Sequence, residues 1–502
     1  MRHIVTKARL SEPEAIDVLL VRAIETEDSD ALVLTRDDRQ YATAAALSGQ
    51  PMPDDPGRSE TAAFLAARAG RALERLTARY PTLERVRTLS RWPAWLNWAV
   101  PVAALGIGFV SHRLDGERLN ILAFPLLALI AWNLAMYVLL AARALLSSAT
   151  RKDHSAHPLR RALEWLVRPA SARLAAQPTL ERGVALYARN WAQAAGPLTH
   201  ARASRTLHIG AAMFAVGILA GMLLRARYTA NYSAGWSGTW AGAENEIAVL
   251  LRIIFGPASL LTGIALPSVE RLRELRGGGE NAGDWLILWA VTATLFVIVP
   301  RLVLAAFSGA RAAMLARRIA VPDDFYLRSL LRDATGRATS LRVIPYGFAL
   351  ADPAREQLQA SLRGAVGEKS RIAIEPEIPY GNEDDWLAGH GADLRQSDQL
   401  VVLFNLSSTP EAENHGALVA GIQAALRGAP TAVTVLLDDS AFRHRLRGQP
   451  SADRRVEERV DAWRSMLAAC GAAPTVVSLS EADERAAARA LEQALMRSGA
   501  SA

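Results

Sequence analysis

"VVLFNLSSTPEAENHG", Val401 to Gly416, carries an apolar run into a polar, proline-bearing turn and on toward a helix. A short β-branched run that ends this way reads as a buried strand, and many ligand sites sit at such strand-to-helix turns. The surrounding sequence repeats the alternation. Leu341–Pro345, Arg371–Glu375, Gln399–Asn405, Ala432–Leu437 and Thr475–Leu479 read as strands. Helix-like stretches lie between and after them: Pro353–Leu362, the segment up to about Arg427, Asp453–Ala469 and Glu481–Arg497. Strands that are apolar on both faces and alternate with helices indicate a parallel sheet covered on both sides. Residues 320–502 are therefore expected to form an α/β domain with a five-stranded, mainly parallel, doubly wound sheet.

In such a sheet, ligands bind beyond the carboxyl ends of the strands. The residues expected there form a candidate rim: Tyr346, Tyr380, Asn405, Ser408, Thr409, Glu411, His415, Asp438 and Asp439. Ser408 and Glu411 have the spacing of a capping box, and Pro410 suits a first helical turn. That reading accounts for Ser408 to Glu411 as the start of a helix. Glu411 and His415 are four apart, on one helical face, but lack a third metal ligand, so no metal site is expected. Glu411, Glu413, Asp438 and Asp439 would make a carboxylate pocket suited to glycosidic chemistry or a divalent ion. Pro345-Tyr346-Gly347 and Pro379-Tyr380-Gly381 echo each other at two strand ends. A phosphate loop is not expected. "GAVGEKS", Gly364 to Ser370, has the wrong spacing and lies between a helix and a strand. The turn after the first strand, "PYGFALADPAREQ", has no lysine and places Asp352 and Glu356 where a phosphate would sit.

Outside this domain the chain is apolar and basic. It has 502 residues and a formal charge of +7, and lysine occurs only at Lys7, Lys152 and Lys369. A basic excess suits nucleic acid or an anionic membrane face, and the hydropathy favours the membrane. Cys470 is the one cysteine, so paired-thiol metal sites and intrachain disulfides are excluded. The N-terminus is too polar for a secretory signal, so internal segments are expected to direct insertion. Four stretches have the length and composition of transmembrane helices, near 92–111, 119–142, 207–224 and 285–307. A fifth, Ile247 to Pro267, contains Arg252 and Gly256-Pro257, which would break a helix, and reads as interfacial or re-entrant.

Arginines flank the spans at Arg85, Arg87 and Arg91 and again at Arg311, Arg317 and Arg318. The segment from Arg143 to Arg205 holds eleven Lys or Arg against three Asp or Glu. All of these favour the cytoplasm. The expected organisation is a mainly helical cytoplasmic region 1–91, a membrane domain 92–310 and the cytoplasmic domain 320–502. The membrane domain would carry a basic cytoplasmic loop 143–206 and an extracytoplasmic loop 225–284. Within that outer loop, Tyr228 to Glu244 reads as an aromatic anchor at the interface. The segment from His157 to Gln193 reads as two amphipathic helices, on the lipid surface or against the C-terminal domain. His154 and His157 do not have a setting for a metal. Asn97, Asn120, Asn133, His208 and Arg301 are expected to hydrogen-bond between helices. Gly217 and Gly221 form a GxxxG that permits close helix packing or a homodimer.

With these residues in view, the chain resembles a bacterial multi-pass membrane family of unknown function whose members are encoded beside a GTPase. The resembling segments are "SAGWSGT" (Ser233 to Thr239), "VPRLVLA" (Val299 to Ala305), "YGNEDDW" (Tyr380 to Trp386), "FNLSSTPEAENHG" and "LLDDSAFRHR" (Leu436 to Arg445). The resemblance implies a bacterial inner-membrane location and a GTPase partner, and carries no catalytic residues. The leading expectation is a scaffold or signalling protein with both termini cytoplasmic, no cofactor and no nucleic-acid role. The alternatives are a membrane-anchored nucleotide hydrolase acting through rim carboxylates, and a small channel.

Overall fold

A computed structural model describes residues 8–28, 30–49, 52–53, 56–111, 118–121, 131–139, 142, 177–228, 231–237, 242–322, 324–366, 370–429, 431–479 and 484–497. Contacts divide the chain into two units. One joins Met1–Ser90, Pro158–Ala194 and Arg317–Ala502; the other joins Arg91–His157 and Ala195–Ala316.

The first unit contains the expected sheet. Its strands are β1 (Ser340–Pro345), β2 (Arg371–Ile374), β3 (Gln399–Asn405), β4 (Ala432–Asp438) and β5 (Pro474–Val477). All are parallel, in the order β5-β4-β3-β1-β2. β3 is central: Val401 registers with Val343 on one side and Thr434 on the other. Its alternate side chains serve two cores. Leu400, Val402 and Phe404 pack with Leu418, Ile422, Val460 and Trp463. Val401 and Leu403 pack with Leu358, Leu362, Leu491 and Leu495. Each such buried side chain contributes about 1.5–3 kcal/mol, which explains why the strand is apolar from Leu400 to Phe404. The helices Glu383–His390 and Ser440–Leu446, each one or two turns long, were not expected from the sequence.

The N-terminal region packs with this domain instead of standing apart. Arg9–Leu10 pairs antiparallel with Ile319–Ala320. The helix Glu12–Glu27 buries a nearly continuous face, including Arg22 and Glu25. Arg22 forms a buried ion pair with Asp324. Arg68, on the helix Arg58–Arg79, pairs with Glu25 at 3.0 Å, and the Tyr326 hydroxyl donates to Glu25 at 2.6 Å. The stretch from Pro178 to Ala194, which overlaps the pair expected on the lipid surface or against the C-terminal domain, buries Tyr187 and Trp191. These donate to the hydroxyl and the carbonyl of Ser90, at 2.7 and 3.1 Å. The remainder of the expected amphipathic pair, with His154 and His157, lies outside the described residues.

The second unit holds four labelled helices: α1 (Leu96–Ser111), α2 (Pro178–Tyr228, from Ala195 on), α3 (Glu244–Thr262) and α4 (Gly283–Ala316). Of these, α2, α3 and α4 are long and apolar enough to cross a membrane. The expected span 119–142 lies largely outside the described residues; 131–139 is helical. Gly256-Pro257 does not break α3. The helix runs on to Thr262 and ends at Gly263, whose φ of 74° suits glycine. α1 and α2 cross closely. A Cβ on Gly108 would meet the backbone of Phe214, and one on Gly217 the backbone of Leu105 and Phe109. Gly217 thus serves packing within the chain; Gly221 is buried. Thr206 and Trp92 both donate to Oδ1 of Asn97, at 3.2 and 3.1 Å.

A small sheet joins three connections: Arg118–Asn120 parallel to Ser233–Gly235, which is antiparallel to Glu280–Asn281. Asn120 is a strand residue. Trp236 is not an interfacial anchor. It is buried, donates to the carbonyl of Leu272 at 2.7 Å, and lies beneath Arg276. Phe255 of α3 meets Trp285 and Trp289 of α4 edge-on, with centroids 6.0 and 4.8 Å away.

Candidate functional site

The strand order reverses between β1 and β3, and open parallel sheets place their ligand crevice at that switch point. The chain leaves β1 through Tyr346, whose N–H donates to Leu403 at 3.1 Å. Gly347 and Gly381, at φ 72° and 90°, turn the backbone after Tyr346 and Tyr380. Only glycine takes this conformation without strain, so the repeated Tyr-Gly is a repeated turn. It brings the two rings together, with centroids 5.8 Å apart.

His415 lies beneath them, 2% exposed. Its ring centroid is 5.2 Å from Tyr346, 5.8 Å from Tyr380, 5.2 Å from Phe404 and 4.7 Å from Trp463. The Glu411 N–H donates to its Nδ1 at 3.3 Å, which leaves the imidazole proton on Nε2. Burial pushes the His415 pKa down, with the charge of Glu411 opposing.

Two tyrosine–carboxylate pairs fix the rings. The buried Tyr346 hydroxyl donates to Glu383, which also accepts from the Gly381 N–H at 3.0 Å. The Tyr380 hydroxyl donates to Glu411, and the Asn414 amide donates to both at 2.7 Å. Bonding to Tyr380 and then to Asn414 holds the Glu411 carboxyl below its usual range, and the same carboxylate raises the Tyr380 pKa.

The capping box does not form. The helix starts at Ala412 with a π-turn, Ala412–Gly416, and Glu411 is the residue before it, at φ −130° and ψ 127°. The Gly416 N–H bonds to the Glu411 carbonyl at 3.2 Å. Tyr380 and Asn414 engage the Glu411 carboxylate, and the widened turn sets His415 under the rings. Such π-turns are frequent at functional sites. Ser408 belongs instead to a turn organised by Asn405: its N–H bonds to the Asn405 carbonyl at 3.0 Å, and the Ser407 N–H to Asn405 Oδ1 at 2.8 Å. Thr409 is exposed.

Asp438 and Asp439 do not join Glu411 in a carboxylate pocket. Asp438 Oδ1 accepts from the Ser440 N–H and hydroxyl and the Leu479 N–H, at 3.1, 2.5 and 3.3 Å. Burial raises its pKa, with the Ser440 bonds opposing. Asp439 pairs with Arg443 and accepts from the Ser478 hydroxyl. Both aspartates organise the β4–β5 end of the sheet. Glu383, Phe404, Asn414 and Trp463 belong to the switch-point cluster, and rim reasoning missed them. The acidic run after Tyr380-Gly381 is the signal that pointed to Glu383. Among the described residues no three His, Cys, Asp or Glu side chains group as metal ligands. In comparisons with known proteins, no family model matches the chain and no curated protein matches it.

Proposed function

We propose that the chain is an inner-membrane scaffold or signalling protein whose α/β part binds a protein partner at the switch-point rim. The observation that carries this reading is that the ligand position is filled from within, by Tyr346, Phe404 and His415. Above that filling stands an exposed rim, with Tyr380 51% exposed beside Thr409, Glu411 and Glu413. An aromatic residue held rigidly by hydrogen bonds is a suitable interface anchor. The resemblance makes a GTPase the first partner to try. Binding of the full chain to a GTPase of the kind the resemblance implies, measured in its GTP and GDP states, tests the reading. Tyr380→Ala should weaken the complex; no binding in either state defeats it.

The membrane reading has four spans with both termini in the cytoplasm. Its support is topological. The described parts of 1–90, 158–194 and 317–502 pack as one unit, and a folded unit occupies one side of a bilayer. Each connecting stretch then crosses an even number of times. Arginine-rich flanks favour the cytoplasm for that side.

One observation favours a second reading, nucleotide hydrolysis. Glu411 is a carboxylate kept ionised on the open rim. Turnover of any member of a nucleotide panel, abolished by Glu411→Gln, would replace the scaffold with an enzyme.

A further inference from the structure

Three apolar segments of the membrane unit meet at one arginine. Arg301 of α4 donates from Nε and Nη2 to Oδ1 of Asn133, at 2.9 and 2.7 Å. Its Nη1 lies 3.3 Å from Nδ1 of His208 on α2, and the Tyr137 ring centroid is 5.5 Å from its guanidinium carbon. A guanidinium nitrogen only donates, so His208 accepts on Nδ1 and carries its proton on Nε2. Every one of these partners is neutral. Arg22 and Arg68, two of the buried arginines of the other unit, each have a carboxylate. Arg301 has none among the described residues.

The site is inside the apolar stretch. A bilayer core takes about 20 helical residues, which from Trp285 ends near Ala305. Arg301 thus stands about 6 Å inside that limit. Toward the same end, Ser204 and Ser308 meet at 3.3 Å, and the Arg205 side chain lies where a Cβ on Gly309 would touch it. Leu302, Val303 and Phe307, beside Arg301, are exposed as lipid-facing residues would be. An unpaired cation at this depth is costly and marks a site. Beyond these bonds and one to the Tyr137 hydroxyl, at least one of the five guanidinium N–H groups remains to meet an oxygen of an anion.

We propose that Arg301, oriented by Asn133 and His208, anchors an oxyanion site between these three segments, for a phosphate-type group. The phosphate comes either from an anionic lipid headgroup or from free phosphate. The proposal rests on α2 and α4 lying in a bilayer. A purified chain that stays soluble and monodisperse without detergent would defeat that premise separately.

The test uses the full chain in phosphatidylcholine nanodiscs and reads thermal unfolding. Phosphatidylglycerol is added to the discs in one arm, and inorganic phosphate to the buffer in the other. Tm is expected to rise with the anion in at least one arm. A rise with the lipid alone assigns the headgroup, and a rise with phosphate assigns the free ion. Arg301→Gln should lose the shift. Asn133→Asp places a carboxylate against the guanidinium and should also lose it while remaining folded, so this variant decides if Arg301→Gln does not fold. Arg318→Gln should keep it. No shift in the unaltered chain, or an undiminished shift in Asn133→Asp, overturns the proposal.

Discussion

At the scale of single residues, the switch-point cluster sets an aromatic box against ionisable groups. His415 is buried with its pKa below the ordinary 6.5. The unfolded chain therefore binds a proton below pH 6.5 that the folded chain refuses. Stability is complete above 6.5 and falls as pH drops below it toward the lowered value, by at most about 1.4 kcal/mol per pH unit. Replacing the ring by His415→Phe should flatten that part of the stability-versus-pH curve, read by denaturant unfolding between pH 7.5 and 5. An unchanged slope would remove His415 as its source. The two tyrosine–carboxylate pairs should separate by burial. Tyr346→Phe leaves the buried Glu383 carboxylate short of a donor and should cost about 1–3 kcal/mol. Tyr380→Phe, at the exposed rim, should cost clearly less, and equal losses in urea unfolding would contradict this. Of this cluster the sequence made Tyr346, Tyr380, Glu411 and His415 legible, because each stands at a strand end or in the following turn. It did not disclose that Tyr380 engages Glu411. That contact joins residues thirty-one apart, and it removes the capping box that local spacing suggests.

At the scale of elements, the strands were legible to within two residues at each end, because a buried parallel strand announces itself by an unbroken apolar run. The helices of the membrane unit were less so, since apolar residues surround a span on every side and leave no period to read. What organises them is backbone chemistry. Pro300 has no N–H, so the Phe296 carbonyl lacks its helical donor. The helix widens to a π-turn over Thr294–Ile298, and the Tyr137 hydroxyl lies 3.2 Å from the Phe296 carbonyl and 3.4 Å from that of Val297. Pro300→Ala restores the missing donor. Tyr137→Phe should then destabilise the unaltered chain by about 0.5–1.5 kcal/mol and have little effect in Pro300→Ala. A double-mutant cycle of Tm values in detergent checks the coupling. Gly217 tests the α1–α2 crossing in the same way. Gly217→Val drives a branched side chain into the backbone of α1 and should cost about 1–3 kcal/mol or more.

At the scale of the whole molecule, the junction of residues 1–90 with 317–502 decides the topology, and it was the part least legible in the sequence. Polar contacts mark it: Arg22 with Asp324, and Arg68 and Glu25 with the Tyr326 hydroxyl. Hydrophobic periodicity counts such residues as surface, so the first ninety residues read as a separate region. Once they share one unit with the C-terminal domain, α3 becomes the segment that parity constrains. Ser233–Gly235 before it and Glu280–Asn281 after it pair in one sheet. The chain between leaves that sheet and returns to it, which under the proposed four-span reading means no net crossing, although α3 has the length of a span. Single cysteines in a Cys470→Ser background, probed in intact cells with a membrane-impermeant maleimide, make this measurable. Ser237→Cys should label from outside and Leu32→Cys should not. Ala265→Cys, just past α3, should label from outside or stay protected in the bilayer. If it reacts only after the cytoplasmic face is opened, α3 crosses. Residues 1–90 and 317–502 would then lie on opposite sides of the membrane, which the strand pairing of Arg9–Leu10 with Ile319–Ala320 forbids.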